Sequence, residues 1–216
     1  MKKILLLLLV PFIVLGTSQA FAYEFGVDVG DNVDWGDRFT RQGGEFSFSV
    51  VGGPNDGYSW QTFCAEWIEW VDDATVTGIA DNNTSGYGTG LTDTTAWLYW
   101  SFTEDTLAGY TGSSDNQEDL QKLIWSTMGQ VSTYSNYSFD VFNDDDLVAE
   151  WLEDAADAYT AGWRNDGRVQ VLQLGEAQDV LIAALDSNPV PEPTTIALLG
   201  IGLIGLAGMG RRKKQE

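Results

Sequence analysis

Glu45-Phe46-Ser47-Phe48-Ser49-Val50 alternates apolar and polar residues without a break, placing Phe46, Phe48 and Val50 on one side. A period of two is that of a strand with one buried face, so this stretch sets the fold toward a sheet. Gly52-Gly53-Pro54-Asn55-Asp56-Gly57 follows as a turn, and the aromatic, β-prone run from Trp60 to Val71 reads as the next strand. Along it Gln61, Phe63, Ala65 and Trp67 share one face, while Thr62, Cys64, Glu66 and Ile68 share the other. Upstream, Tyr23 to Val29 fits a short edge strand. Downstream, Asp81 to Gly90 is a loop rich in Asn, Ser and Gly.

The period then changes. Thr94 to Leu107, with Trp97, Leu98, Trp100 and Phe102, reads most simply as a helix. Asp115 fits the N-cap of a second helix, with Glu118 completing a capping-box pair and Leu120, Leu123, Ile124 and Met128 forming its apolar stripe up to a stop at Gly129. Asp144 to Tyr159 is a third amphipathic helix, with Leu147, Trp151, Leu152, Ala155 and Tyr159 on one face. Arg168 to Leu174 returns to strand, and Ala177 to Leu185 fits another strand or a short helix. Strands, helices and strands in that order indicate an α+β domain: a β-sandwich or barrel with an inserted helical subdomain.

Composition narrows what such a domain does. The 216 residues contain one Cys and no His, which removes an intrachain disulfide framework, imidazole catalysis and the commonest zinc ligand. Between Tyr23 and Pro191 five basic residues stand against 30 acidic ones, a net charge of −25. Such a surface repels nucleic acid, which is not expected as a partner. Asp28, Asp31, Asp34 and Asp37 recur every three residues and Asp144-Asp145-Asp146 form a run, but neither matches an EF-hand loop. They read as solvated acidic loops, and no metal or cofactor is expected. Of the nine Trp, Trp67, Trp70, Trp97, Trp100, Trp125 and Trp151 sit in apolar patterns and read mostly as core.

The two ends differ from the middle. Lys2 and Lys3, the apolar run Ile4 to Leu15, and Ala20-Phe21-Ala22 form the three parts of a secretory signal, with the mature chain expected to start at Tyr23. Thr194 to Gly210 is uncharged over 17 residues and is followed at once by Arg211-Arg212-Lys213-Lys214. As a helix it covers roughly 25 Å, close to the thickness of a bilayer core. The basic cluster would stop transfer and remain cytoplasmic. The expected organisation is a signal peptide over 1–22, an extracellular domain over 23–187, and a tail over 188–216 that holds a transmembrane helix.

Ahead of that helix stands Val190-Pro191-Glu192-Pro193. The motif, the apolar run and the basic end together closely resemble the PEP-CTERM sorting signal of Gram-negative bacteria. The resemblance implies that exosortase, a membrane protease-transferase, recognises Pro191, Glu192 and Pro193 while the chain is held in the inner membrane. It also implies that the tail is then removed, leaving the domain at the cell surface or outside the cell, associated with exopolysaccharide or biofilm. From the residues alone, Pro-Glu-Pro is an extended segment that holds a recognition site clear of the membrane.

The single Cys lies in Thr62-Phe63-Cys64-Ala65-Glu66, and Leu120-Gln121-Lys122-Leu123-Ile124-Trp125 follows in the second helix. This pair resembles the Cys–Gln thioester domains of bacterial surface adhesins. Lys122-Leu123 and Leu120 depart from that family's helix motif. The strand motif, the helix motif and a late Ala177-Gln178-Asp179-Val180-Leu181 segment together also resemble the arrangement of many PEP-CTERM proteins. The resemblance implies an intramolecular bond between Cys64 and Gln121 that an amine on a target opens, attaching the protein covalently. A thiol suits making and breaking that bond, and neighbouring aromatics such as Phe63 and Trp125 would keep water from it. Helix N-terminal N–H groups near Gln121 would stabilise the oxyanion. The reading is thus a non-enzymatic surface protein, in its sharper form a covalent adhesin with an amine-bearing target. The alternative is a module that binds sugar or calcium without a thioester; a hydrolase with paired carboxylates has no motif behind it.

Overall fold

The computed structural model describes residues 21–36, 44–67, 72–86, 88–130, 146–175, 177–185 and 190–191. In chain order its elements are strands β1 (Phe21–Ala22), β2 (Asn32–Trp35), β3 (Phe46–Val51), β4 (Ser59–Thr62), β5 (Ala74–Thr75) and β6 (Gly78–Ala80). Helices α1 (Asp93–Thr103), α2 (Ser114–Thr127) and α3 (Asp146–Thr160) follow, then β7 (Val169–Gln173), β8 (Val180–Ala183) and β9 (Val190–Pro191). The chain divides into two units, one of Met1–Ala22 with Val190–Glu216 and the other of Tyr23–Pro189. In the first unit β1 and β9 pair antiparallel, Ala22 opposite Val190 and Phe21 opposite Pro191. Ala20, Glu192, Pro193, the apolar run 194–210 and Arg211 to Lys214 lie outside the described residues. Among the described residues no helix is long and apolar enough to cross a membrane.

The second unit is α+β. One antiparallel sheet has the order β4-β3-β2-β5 and a second the order β6-β7-β8. The alternation in β3 is realised as buried Phe46, Phe48 and Val50 between half-buried serines. With Val33 these side chains pack against Leu172, Val180 and Ile182 of the second sheet. The opposite face of that sheet, through Val169, Val171 and Leu181, packs on Leu98, Tyr99, Leu123, Ile124 and Trp151 of the helices. The second sheet is therefore a middle layer, and Val180, Leu181 and Ile182 are buried on whichever side they point. A strand covered on both faces needs no alternation, which is why its sequence is compatible with strand or helix.

Several expectations are corrected. Among the described residues there is no closed barrel: β5 and β6 do not pair, and the chain passes between the two sheets where Phe63–Ala65 meets Asp179–Leu181 and where Val76 bonds Gly30 and Asp31 while Thr77 bonds Gln173. Tyr23 to Val29 forms no strand; the strand is β2, inside the aspartate-spaced stretch, because Val33 is buried between exposed Asn32 and Asp34. The strand expected from Trp60 to Val71 ends as β4 at Thr62, since the chain there leaves one sheet for the other; residues 68–71 are outside the described set. The N-cap of α2 is Ser113, whose side chain accepts from the Asn116 N–H, and not Asp115. Glu118 instead pairs with Lys122 one turn on. In α3, Val148, Trp151 and Ala155 are buried, whereas Tyr159 is 50% exposed under the Arg164 guanidinium; Asp144 and Asp145 are not described.

Candidate functional site: a strand end wrapped by side-chain amides

Past Thr62 the chain continues as Phe63-Cys64-Ala65-Glu66 in the seam between the sheets. Its backbone there bonds to β8 and the residues before it: the Leu181 N–H donates to the Phe63 carbonyl (3.1 Å) and the Ala65 N–H to the Asp179 carbonyl (2.8 Å). Phe63 and Ala65 face the helices, while Cys64 lies in the cluster between the sheets. The expected two-faced alternation thus survives where the regular strand does not. On its other side no strand is available, and buried backbone N–H and C=O groups left without partners would each cost about 1–3 kcal/mol.

Side-chain amides take the place of that strand. The Cys64 N–H donates to Gln121 Oε1 at 2.8 Å, and Gln121 Nε2 donates to the Cys64 carbonyl at 2.9 Å. Cys64 is 1% exposed and Gln121 0%. Gln130 Nε2 and Asn83 Nδ2 both donate to the Ala65 carbonyl, and Gln178 Nε2 donates to the Glu66 carbonyl. The Asp179 N–H donates to Glu66 Oε1 at 3.1 Å. Asp179 in turn accepts from the Leu174 N–H and from the N–H and hydroxyl of Thr84. The strand motif, the helix motif and the late Ala-Gln-Asp segment, far apart in sequence, meet at this one point.

Local structure explains how each side chain arrives. Gln121 lies on the buried stripe of α2 beside Leu120, so its amide must be used where it is buried. Gly129 (φ 70°) ends the helix and turns the chain back, the Gln130 N–H bonding the Trp125 carbonyl, so that the Gln130 side chain reaches Ala65. Trp125, one turn after Gln121, packs edge-on against Trp67, three residues after Cys64, with centroids 5.2 Å apart. Burial, with the Glu66 carboxylate adding to it, pushes the Cys64 thiol far above its ordinary range, so the free thiol is protonated at neutral pH. Burial also raises the Asp179 carboxyl, with hydrogen bonds from Leu174 and Thr84 opposing it.

Cys64 and Gln121, picked out from the sequence, are therefore direct neighbours. The expectation that helix N-terminal N–H groups serve Gln121 is corrected: α2 begins at Ser114, so Gln121 sits two turns in, where those groups are spent within the helix, and the N–H on its carbonyl is that of Cys64. Glu66, Asn83 and Gln130 were not singled out as site residues. Glu66 was legible as sharing a face with Cys64, whereas nothing around Asn83 or Gln130 marks them. Among the described residues no group of three or more Cys, Asp or Glu is placed to hold a metal ion.

Comparisons with known proteins bear on the tail and not on this site. No curated protein and no solved structure matches the chain, so the likeness to thioester domains has no support from them. The PEP-CTERM protein-sorting motif matches residues 189–213, which marks the chain as one exported to the surface of a Gram-negative bacterium and processed by exosortase.

Proposed function

We propose that this exosortase-sorted protein is a non-enzymatic covalent adhesin that carries a thioester between Cys64 and Gln121. The observation that carries the reading is the paired hydrogen bonding of the Gln121 amide to the Cys64 backbone in a fully buried site. Formation joins Cys64 Sγ to Gln121 Cδ and breaks Cδ–Nε2; the thiol proton leaves with that nitrogen as ammonia. The oxygen that gains negative charge during the attack is Gln121 Oε1, already held by the Cys64 N–H. A donor placed before the reaction stabilises that charge without reorganisation. Opening reverses the logic: a target amine attacks Cδ, sulfur departs and is reprotonated, and an amide remains on the protein. The Trp67–Trp125 pair and the surrounding apolar side chains support protection from water.

Intact mass tests this. The exported, processed protein should weigh about 17 Da less than its sequence, the ammonia lost in acyl transfer. Methylamine should add at Gln121 and expose one titratable thiol, and Cys64→Ala should abolish both effects. Full mass with one thiol titrating without amine would reduce Cys64 to a buried structural thiol and leave the amide wrapping as a purely structural device. Sorting is tested separately. Replacing Pro191 and Glu192 by Ala should leave the full-length chain in the inner membrane, while retention of Arg211 to Lys214 on wild-type surface protein would refute tail removal.

A further inference from the structure

We propose that the cleft between the diverging ends of β4 and β8 binds a neutral oligosaccharide. Near Thr62 the two segments are held together at one carbonyl: Leu181 O accepts from the Thr62 hydroxyl, the Tyr99 hydroxyl (3.1 Å) and the Trp60 indole N–H (3.4 Å). Before that point, at Ser59–Gln61, β4 stays with its own sheet. The end of β8 turns away, with the Ala184 N–H bonding Arg168 and the Leu185 N–H bonding Glu24. The gap is a cleft of about 390 Å³, within the size range of small-ligand sites.

Its walls differ in chemistry. On one side Tyr58 and Trp60 stack with centroids 5.6 Å apart and planes 19° apart, and Trp60 is backed by Phe48 at 5.7 Å and 22°. The indole is thus fixed by stacking and by its hydrogen bond, and it remains only half-buried. An aromatic surface held in place this way costs little ordering entropy when a ligand packs on it. On the other side the end of α1 supplies exposed Glu104 and Asp105, and Gln61 lies exposed on the β4 edge. Asp105 is held at φ 55°, the one non-glycine residue at positive φ among the described residues, and such strain collects at sites that use it.

These features select the ligand class. Among the described residues no basic side chain lines the cleft, and its acids add to a strongly negative chain, so uronates, sulfates and phosphates are disfavoured. A wholly apolar ligand would cover the carboxylates and strand-edge groups without giving them partners. A neutral sugar satisfies both walls: its C–H faces pack on the aromatic rings, and its hydroxyls donate to Glu104, Asp105 and Gln61. The inference is independent of the thioester, since neither Cys64 nor Gln121 lines the cleft.

The test uses the full chain in a detergent without a sugar headgroup. Cellotetraose, maltotetraose, laminaritetraose and chitotetraose are titrated by calorimetry and Trp fluorescence. Tetragalacturonate and tetralysine serve as charged controls. At least one neutral tetrasaccharide should bind, and Glu104→Ala and Gln61→Ala, both exposed, should each weaken it by about tenfold, with Trp60→Ala abolishing it. Cys64→Ala should bind as the wild type does. The proposal is overturned if no neutral tetrasaccharide binds by about 10 mM. It is equally overturned if both exposed-residue variants bind unchanged, or if a charged control binds more tightly than every neutral sugar.

Discussion

The stretch from Tyr58 to Glu66 has two halves with opposite fates. Residues 58–62 pair on one side with β3, while Tyr58, Trp60 and Gln61 line the open cleft on the other. Residues 63–66 have left that sheet yet are completely buried. The difference lies in what occupies the second edge. In the first half nothing replaces a neighbouring strand except the Tyr99 hydroxyl on the Gln61 carbonyl (2.9 Å), so the edge stays wet. In the second half four side-chain amides supply the missing partners, so the backbone can be dry. Burial of irregular backbone therefore depends here on a few long polar side chains delivered from distant elements.

That comparison can be broken first at Gln121. Gln121→Leu keeps volume but strips both partners from Cys64, and should cost about 2–6 kcal/mol in denaturant unfolding, the sum of two buried orphans. A loss below about 0.5 kcal/mol would mean that water or a shifted backbone replaces the amide easily. Next come the groups that pin the junction. Tyr99→Phe and Thr62→Val should each cost about 1–2 kcal/mol. The double variant should lose more than the sum, because Leu181 O then keeps only the long bond from Trp60.

A pH series sharpens the contrast further. The folded-state pKa of Asp179 is raised above its ordinary value of 3.8, chiefly by burial. Its contribution to stability is therefore fully present below that value and is lost as pH rises through the elevated one. Thermal melts across this window should show the gap between wild type and Asp179→Asn narrowing as pH rises. A gap that widens would show that the folded-state pKa is lowered. The smallest effect belongs to the open half: Gln61→Ala should change stability by less than about 0.5 kcal/mol, as a surface substitution whose backbone bonds persist. Its influence should appear in sugar binding alone.

Much of this arrangement could be read before any fold was known, but unevenly. The β3 alternation and the α2 stripe with its Gly129 stop were legible because each is a local pattern with one buried face. The strand β2 was hidden among regularly spaced aspartates, since four residues with a single buried Val33 carry too little periodicity. β5 and β6 are shorter still. The Cys64–Gln121 pair was found through a resemblance of motifs and not through any spacing that would bring them together.

The sequence by itself determined the sorting motif at residues 189–213, since such a signal is linear and is read along the chain. It also determined the −25 charge of the middle segment and the broad succession of strands, then helices, then strands. Only the tertiary structure decided that Gln121 spends its amide on Cys64, that Gln130, Asn83 and Gln178 close over the next two residues, and that β4 and β8 part to leave a cleft. The physical reason is that each buried polar group needs a partner within about 3 Å. Which partner comes that close is set by how three layers pack, through contacts between residues far apart along the chain.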